Sequence, residues 1–179
     1  MLTEIKNFIV ENPRLFFGNL VGFISAIFSF LSYQAKTPKK LLTLQYCVSG
    51  AAAVSFAILG AWSGMAMNIV CLIRNYTFDI RNRKPFSSPS WPYIIAVITG
   101  AVGALSWQGP ISLLIIIPIM INTVVLSLAD NTKLRLSILF TSSVIIIYDL
   151  YSKAYFSAIT ETVTITSAAI GLIRYRKKE

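Results

Sequence analysis

The residues of this sequence that could do chemistry are polar side chains inside long apolar stretches. Asn68, Arg74 and Asn75 share one such stretch, and Glu161 lies in another near the end of the chain. A buried amide or charge is costly unless it is paired or faces a cavity. These side chains could therefore bind a polar solute, and Glu161 could also carry a proton or a cation.

Asn122 is a further binding candidate because it lies about one helical turn beyond Pro118. A proline inside a helix frees a backbone carbonyl, which a nearby polar group can use. We therefore expect a pocket residue at Asn122.

The sequence offers no catalytic constellation beside these residues. It has no histidine, which excludes histidine-based acid–base catalysis and imidazole metal sites. No nucleophile stands beside a base, no carboxylates pair at adjacent depth, and no phosphate-binding loop or haem motif occurs. Asp149 is interpreted as an interfacial cap that pairs with Lys153, four residues on. We expect no enzyme, no metal site and no cofactor.

The composition is that of a membrane protein. Of 179 residues, 55% are hydrophobic and only 13% are charged, whereas about a quarter of the residues of a soluble domain are charged. The mean hydropathy is +0.69. The net charge of +9 comes from basic residues at the ends of apolar runs, which indicates contact with anionic lipid rather than nucleic acid.

Seven apolar runs predict seven transmembrane helices in an all-α membrane protein. An interfacial helix over 1–15 precedes a first three-helix repeat over 16–84. A linker and the fourth transmembrane helix follow over 85–109, and a second three-helix repeat with a basic cytoplasmic tail covers 110–179. The apolar runs themselves cover about 16–34, 41–60, 64–80, 93–107, 111–128, 136–151 and 156–173.

The first run also carries small residues at every fourth position. Gly18, Gly22 and Ala26 would lie on one face of a helix. Such a face predicts that a neighbouring helix approaches closely.

Basic residues predict the orientation of the helices. With the N-terminus outside and the C-terminus cytoplasmic, three basic residues fall outside, namely Lys6, Arg14 and Lys153. Twelve fall inside, as the positive-inside rule requires. These are Lys36, Lys39, Lys40, Arg81, Arg83, Lys84, Lys133, Arg135, Arg174, Arg176, Lys177 and Lys178.

The chain also repeats itself weakly. The segment Ala61–Lys84 has a counterpart 93 residues later at Ala154–Lys177, and both end in R-x-R-K. At this offset Glu161 stands where the first segment has Asn68. With an odd linker helix between them, the two three-helix units are parallel repeats, an arrangement that is common in transporters.

Structural roles compete with the binding roles of these residues. Asn68 could instead join two helices, which contributes about 0.6–2 kcal/mol in membranes. Arg74 could bind or gate, or it could extend its charge toward the membrane surface near Arg81. Glu161 could be a solvated carboxylate at the mouth, and it could pair with Arg74 only if packing brings their depths together.

Two resemblances to known families follow from these residues. The segment Tyr33–Lys40, Y-Q-A-K-T-P-K-K, is similar to a PQ loop, and the 3+1+3 order resembles SWEET and PQ-loop transporters. This resemblance implies that Asn68 corresponds to the pocket asparagine of SWEET proteins, while Glu161 departs from the pattern. It also implies a hinge at Pro118.

A second resemblance covers nearly the whole chain. The motifs are G-F-I from Gly22, K-K-L-L-T-L-Q from Lys39, M-N-I after a glycine-containing turn, and L-I-R-Y-R near the end. They are similar to YgjV-type bacterial inner-membrane proteins. This resemblance implies a small, helical, multi-pass protein of the bacterial inner (cytoplasmic) membrane and names no substrate.

We therefore expect a SWEET-like transporter or facilitator that moves a small polar solute passively by alternating access. The alternative is a non-transporting membrane protein that contacts lipid or another protein. A central cavity lined by Asn68, Asn122 and Glu161 would favour transport, and a centre filled by side chains would favour the alternative. The expected partners are the bilayer, anionic lipid at the cytoplasmic basic loops and the solute, with no nucleic acid. Both a monomer and a homodimer fit the sequence.

Overall fold

The computed structural model describes residues 10–33, 38–79, 90–127 and 131–176. Within these ranges the chain is all-helical, without a β-strand, and each of the seven predicted apolar runs coincides with one α-helix. A short 3-10 turn, Pro110–Ser112, precedes the fifth. The helices are α1 (Pro13–Tyr33), α2 (Pro38–Leu59), α3 (Trp62–Asp79), α4 (Trp91–Leu105), α5 (Leu113–Ser127), α6 (Asn131–Tyr151) and α7 (Tyr155–Arg176).

The helices pack mainly against their neighbours in the chain. α1 packs on α2, α2 on α3, α5 on α6 and α6 on α7, and α3 contacts both α4 and α5. α7 returns to pack against α1. Six helices therefore close a ring in the order α1, α2, α3, α5, α6, α7, and α4 lies against α3 and α5.

The distribution of side chains is the reverse of that in a soluble protein. Large apolar residues cover the outside, with Leu105 89% exposed and Val97 70% exposed. The buried positions hold many small hydroxyl residues, among them Thr99, Thr123 and Thr141 at 0% exposure. This distribution is expected where lipid is the solvent, because helices in lipid associate through small and polar residues.

Close helix approach on α1 is confirmed at Gly18 and Gly22. A Cβ atom on Gly18 would lie 2.6 Å from Cγ of Leu59, and one on Gly22 would lie 3.2 Å from Oγ of Ser55. The Ser55 hydroxyl donates to the Gly18 carbonyl at 2.7 Å. A larger residue at Gly18 would push α1 and α2 apart.

Length and hydropathy alone assign one membrane crossing among the described residues. The segment Pro13–Ser32 is long and apolar enough, with a mean hydropathy of 1.9. Three shorter apolar helices accompany it, at Thr43–Leu59, Trp91–Leu105 and Pro110–Val125. Because one such helix also occurs in the core of soluble proteins, the apolar outer surface is the stronger indication of lipid.

Several predicted features lie outside the described residues. They include residues 1–9 of the interfacial helix, positions 34–37 of the PQ-like segment, and the basic loops over 80–89 and 128–130. The predicted orientation and domain boundaries therefore stay predictions.

Candidate functional site

One end of the bundle, here called the turn end, is formed by residues 60–61, 106–109 and 152–154. The α2–α3 turn and the α6–α7 turn have the same geometry. Gly60 has φ 77° and Lys153, 93 residues later, has φ 57°. In each turn the N–H of the next residue donates to the carbonyl five positions back, at 2.9 Å for Ala61 and 2.8 Å for Ala154. Both helices thus end in a Schellman motif, which normally favours glycine at the positive-φ position.

The side-chain amide of Gln108 holds the first of these turns. Its Nε2 donates to the Gly60 carbonyl at 2.9 Å, and its Oε1 accepts from the Ser63 N–H at 3.1 Å. The Ser63 and Ser112 hydroxyls lie 2.9 Å apart, and Ser112 Oγ accepts from the Gln108 N–H at 3.0 Å. Because both serines are fully buried, these bonds satisfy groups that water cannot reach.

Asn19 holds the second turn in the same way. Its Nδ2 donates to the Lys153 carbonyl at 2.9 Å, and its Oδ1 accepts from the Tyr155 N–H at 2.9 Å. α1 is thereby joined to the α6–α7 turn, as the segment before α5 is joined to the α2–α3 turn.

A cavity of about 350 Å³ lies between the two turns. This volume is within the usual range of small-molecule sites, about 300–1,000 Å³. Its lining includes Lys153, Gln108 and three residues with hydroxyl side chains. The lining residues, which we call the vestibule, are Leu59, Gly60, Ala61, Gln108, Ile111, Tyr148, Tyr151, Ser152 and Lys153.

Tyr148 forms the inner wall of the vestibule. It is 2% exposed, and its hydroxyl accepts from the Gly64 N–H at 2.8 Å. That N–H lies in the first turn of α3, where no intrahelical carbonyl is available. The Tyr148 ring also packs on Phe56, with centroids 6.0 Å apart.

The centre of the bundle beyond Tyr148 is filled by side chains. Met67 and Val70 of α3 pack there with isoleucines of α5, all of them buried. The vestibule is therefore open at the turn end and closed toward the middle of the bundle. The α5 residues in this cluster are Ile115, Ile116 and Ile119.

The predicted site residues of α3 lie outside the vestibule lining. Asn68 donates to the Gly64 carbonyl of its own helix at 2.9 Å. Arg74 donates to Oδ1 of Asn75 at 3.3 and 3.2 Å. Their described hydrogen bonds are local, and no pair between Arg74 and Glu161 is observed among the described residues.

Asn122 joins two helices and is also absent from the vestibule lining. Its Oδ1 accepts from the Ser137 hydroxyl at 2.9 Å and from the Thr141 hydroxyl at 3.1 Å. Pro118, the predicted hinge, is fully buried and α5 continues through it. These contacts place Asn122 at the α5–α6 interface.

The interpretation of Asp149 as an interfacial cap is wrong. Asp149 is 0% exposed, and neither carboxyl oxygen has a hydrogen-bond partner in the described part of the chain. α6 ends at Tyr151, so Lys153 has left the helix and the four-residue spacing no longer brings it back to Asp149. Lys153 is instead exposed in the turn.

Glu161 lies close enough to Asp149 for their charges to interact. Glu161 is partly buried on α7, with Ser142 of α6 beside it. Ser157 lies beside Asp149. We call these four residues the polar ladder of α6 and α7.

The repeat offset is the sequence signal that could have identified Asp149. The residue 93 positions earlier is Phe56, which is 2% exposed. Gly64 stands at the position of Ser157, and a Cβ atom there would lie 2.7 Å from the Phe56 ring. The first hairpin thus has an apolar contact where the second has a carboxyl and a hydroxyl.

A second cavity, about 370 Å³ and almost entirely apolar, runs between α1 and α7. We call it the α1–α7 groove. Phe23 and Phe156 meet in it with ring centroids 5.1 Å apart. Leu15 also lines a neighbouring cavity of about 410 Å³, whose lining includes Glu11, Arg14 and Lys153.

A family model named Imp-YgjV, described as a bacterial inner membrane protein, matches residues 16–179. The chain belongs to this family. Membership in the YgjV family confirms the resemblance predicted from the sequence motifs and the bacterial inner membrane as the location. No curated protein and no solved structure matches the chain, so the resemblance to SWEET and PQ-loop transporters stays a prediction.

For a YgjV-family protein, two sites follow from this geometry. The vestibule is a cavity of small-molecule size at the turn end. The polar ladder places two carboxyl groups inside the α6–α7 hairpin. Among the described residues, no group of three or more ligating side chains could hold a metal ion.

Proposed function

We propose that this YgjV-family protein is a multi-pass inner-membrane transporter that moves a small polar solute by alternating access. The vestibule carries this proposal, because it is a polar cavity open at one end of the bundle and closed by packed side chains toward the other. The centre below Tyr148 is filled, and the expected central cavity lined by Asn68, Asn122 and Glu161 is not observed among the described residues, which by itself favours a non-transporting protein. The proposal therefore places solute binding in the vestibule and treats the filled centre as the closed side of one state of an alternating-access cycle.

The proposed architecture has seven crossings as 3+1+3 parallel repeats, with the N-terminus outside and the C-terminus cytoplasmic. Two observations 93 residues apart support it: the paired Schellman turns and the R-x-R-K endings. The amide contacts of Asn19 and Gln108 on those turns are a third, although these two residues are 89 positions apart. The ring order supports it too, since α3 meets α5 and α7 meets α1 where the two repeats would join. Repeat-built transporters carry their sites at such interfaces.

In this orientation the vestibule faces outward. Tyr148 on α6 closes the vestibule, because its hydroxyl oxygen accepts a hydrogen bond from the Gly64 N–H on α3. This bond links the two repeats at the inner wall. Opening toward the cytoplasm would require this bond and the isoleucine packing beneath it to separate. The ammonium of Lys153 and the amide of Gln108 favour a solute with hydrogen-bond acceptors.

The test begins with thermal unfolding of the purified full chain against a panel of sugars, amino acids and small organic acids. A stabilising compound is then measured for uptake into proteoliposomes. We expect Lys153→Gln to weaken both the thermal shift and the uptake severalfold, because it removes the vestibule's ammonium. Lys133→Gln, at the far end of α6, is the control and should behave as wild type.

Two results would contradict the proposal. One is a panel in which no compound shifts the unfolding midpoint and none enters the vesicles. The other is equal uptake by the Lys153 and Lys133 variants.

A second candidate function is lipid contact without transport, and the α1–α7 groove favours it. The groove is almost entirely apolar, and Leu15 also lines the neighbouring cavity that includes Glu11, Arg14 and Lys153. This arrangement suits an acyl chain whose anionic headgroup lies near the two basic residues. Mass spectrometry of the protein released from membranes should then show bound phospholipid that Arg14→Gln reduces. Bound lipid together with no solute uptake would favour this function over transport.

A further inference from the structure

Asp149 is a buried carboxyl group with the Ser157 hydroxyl and a second acid, Glu161, beside it. It is 0% exposed, and both of its oxygens lack a hydrogen-bond partner. Ionised, such a group loses its hydration without gaining a partner, which costs several kcal/mol even after the protein relaxes. Inside a membrane protein, an ionisable residue of this kind marks a proton or ion site by default.

The helices packed against α6 supply no positive charge at this depth. α5 contains no ionisable residue over Leu113–Ser127, and α7 contributes Glu161, a second acid. Tyr148, next to Asp149 on α6, already accepts from Gly64. Among the basic residues of these elements, Lys153 is exposed in the turn. Lys133 and Arg135 belong to the start of α6, and Arg174 and Arg176 belong to the end of α7.

Packing alone does not require a carboxyl group here. At the position 93 residues earlier, Phe56 fills the same kind of space against Gly64. The α2–α3 hairpin therefore packs with an apolar residue at this position, whereas the α6–α7 hairpin buries Asp149 beside a second acid, Glu161.

We propose that Asp149 and Glu161 form a proton-binding site inside the α6–α7 hairpin. Asp149 holds the proton. The Ser157 hydroxyl lies beside the Asp149 carboxyl group and the Ser142 hydroxyl beside that of Glu161, where each can form a hydrogen bond. Glu161 lies on α7 and supplies the second carboxyl group of the site. The site does not depend on the vestibule binding a solute, although Tyr148 lies next to Asp149 and would couple the two if transport occurs.

The site makes stability depend on pH with a definite sign. Removing the proton leaves two like charges in a low-dielectric hairpin, while the unfolded chain releases its protons into water at no such cost. The folded state therefore binds more protons than the unfolded state, and stability falls as pH rises.

The experiment measures the thermal unfolding midpoint of the full chain in detergent from mildly acidic to mildly alkaline pH. We expect the wild-type midpoint to fall by several degrees and the Asp149→Asn midpoint to stay nearly flat, since the amide cannot ionise. Glu161→Gln should reduce the slope, because it removes the like charge. Glu11→Gln, an exposed carboxyl, is the control and should follow wild type.

Infrared spectroscopy of the wild-type protein tests the same site without a variant that might misfold. A protonated carboxyl band that shifts in heavy water is expected at neutral pH, and Asp149→Asn should remove it. The absence of this band in wild type would overturn the proposal. So would an Asp149→Asn profile identical to that of wild type, or a midpoint that follows sodium concentration instead of pH. None of these results depends on finding a transported solute.

Discussion

Removing the Tyr148 hydroxyl tests the contact that closes the vestibule. Tyr148→Phe keeps the ring and its packing on Phe56, 6.0 Å away, but leaves the Gly64 N–H without the acceptor that lies 2.8 Å from it. A buried donor left without a partner costs about 1–3 kcal/mol. For a chain of this length, each kcal/mol of lost stability lowers the unfolding midpoint by about 2–4 °C. A loss of about 2 kcal/mol, the middle of the 1–3 kcal/mol range, should therefore lower the midpoint by roughly 4–8 °C.

The matched control is Tyr151→Phe. Tyr151 lies one helical turn away on α6 and is 68% exposed, so its hydroxyl can be lost with little effect, within about 0.5 kcal/mol. Both variants are compared by thermal unfolding in the same detergent. A Tyr148→Phe shift no larger than that of Tyr151→Phe would refute the reasoning, because it would mean that the bond to Gly64 contributes nothing to the closed wall.

Three further substitutions probe the packing and the turns by the same unfolding assay. Gly64→Ala should destabilise by about 1–3 kcal/mol, because its Cβ would lie 2.7 Å from the rigid Phe56 ring; a neutral result would contradict the close α2–α3 approach. Lys153→Gly should stabilise by about 1 kcal/mol, since φ is 57° there, and a loss of stability would argue against that conformation. Asn122→Ala should cost about 0.6–2 kcal/mol, because the Ser137 hydroxyl loses the Asn122 acceptor and the Thr141 hydroxyl keeps only its bonds to backbone carbonyls. The exposed Ser143→Ala is its control, and equal effects would exclude a bridging role.

The positions of the helices could be read from the sequence because they depend on local properties. Each of the seven apolar runs coincides with a helix, since a run of this length in lipid must satisfy its backbone internally. The close approach at Gly18 was predictable for the same reason, as residue size and four-residue spacing are both local.

The roles of the polar residues could not be read in this way. Asn122 was expected in a pocket, but it accepts from two hydroxyls of α6, and those partners are fixed by how α5 rotates against α6. Asp149 was expected at the surface, but the chain leaves α6 at Tyr151 and the hairpin closes over the carboxyl. The vestibule was not foreseen because Gln108 and Lys153 reach it from separate turns.

The sequence by itself determined that this is an all-helical YgjV-family chain of the bacterial inner membrane. Hydropathy and short motifs depend only on residues that are close together in the chain. Only the tertiary structure decided which polar groups meet. Helix rotation, hairpin closure and the return of α7 to α1 bring together residues far apart in the chain, and a burial cost arises only once they are packed. For this reason the sequence predicts an ordinary helix cap at Asp149, whereas in the fold its carboxyl group is buried without a hydrogen-bond partner.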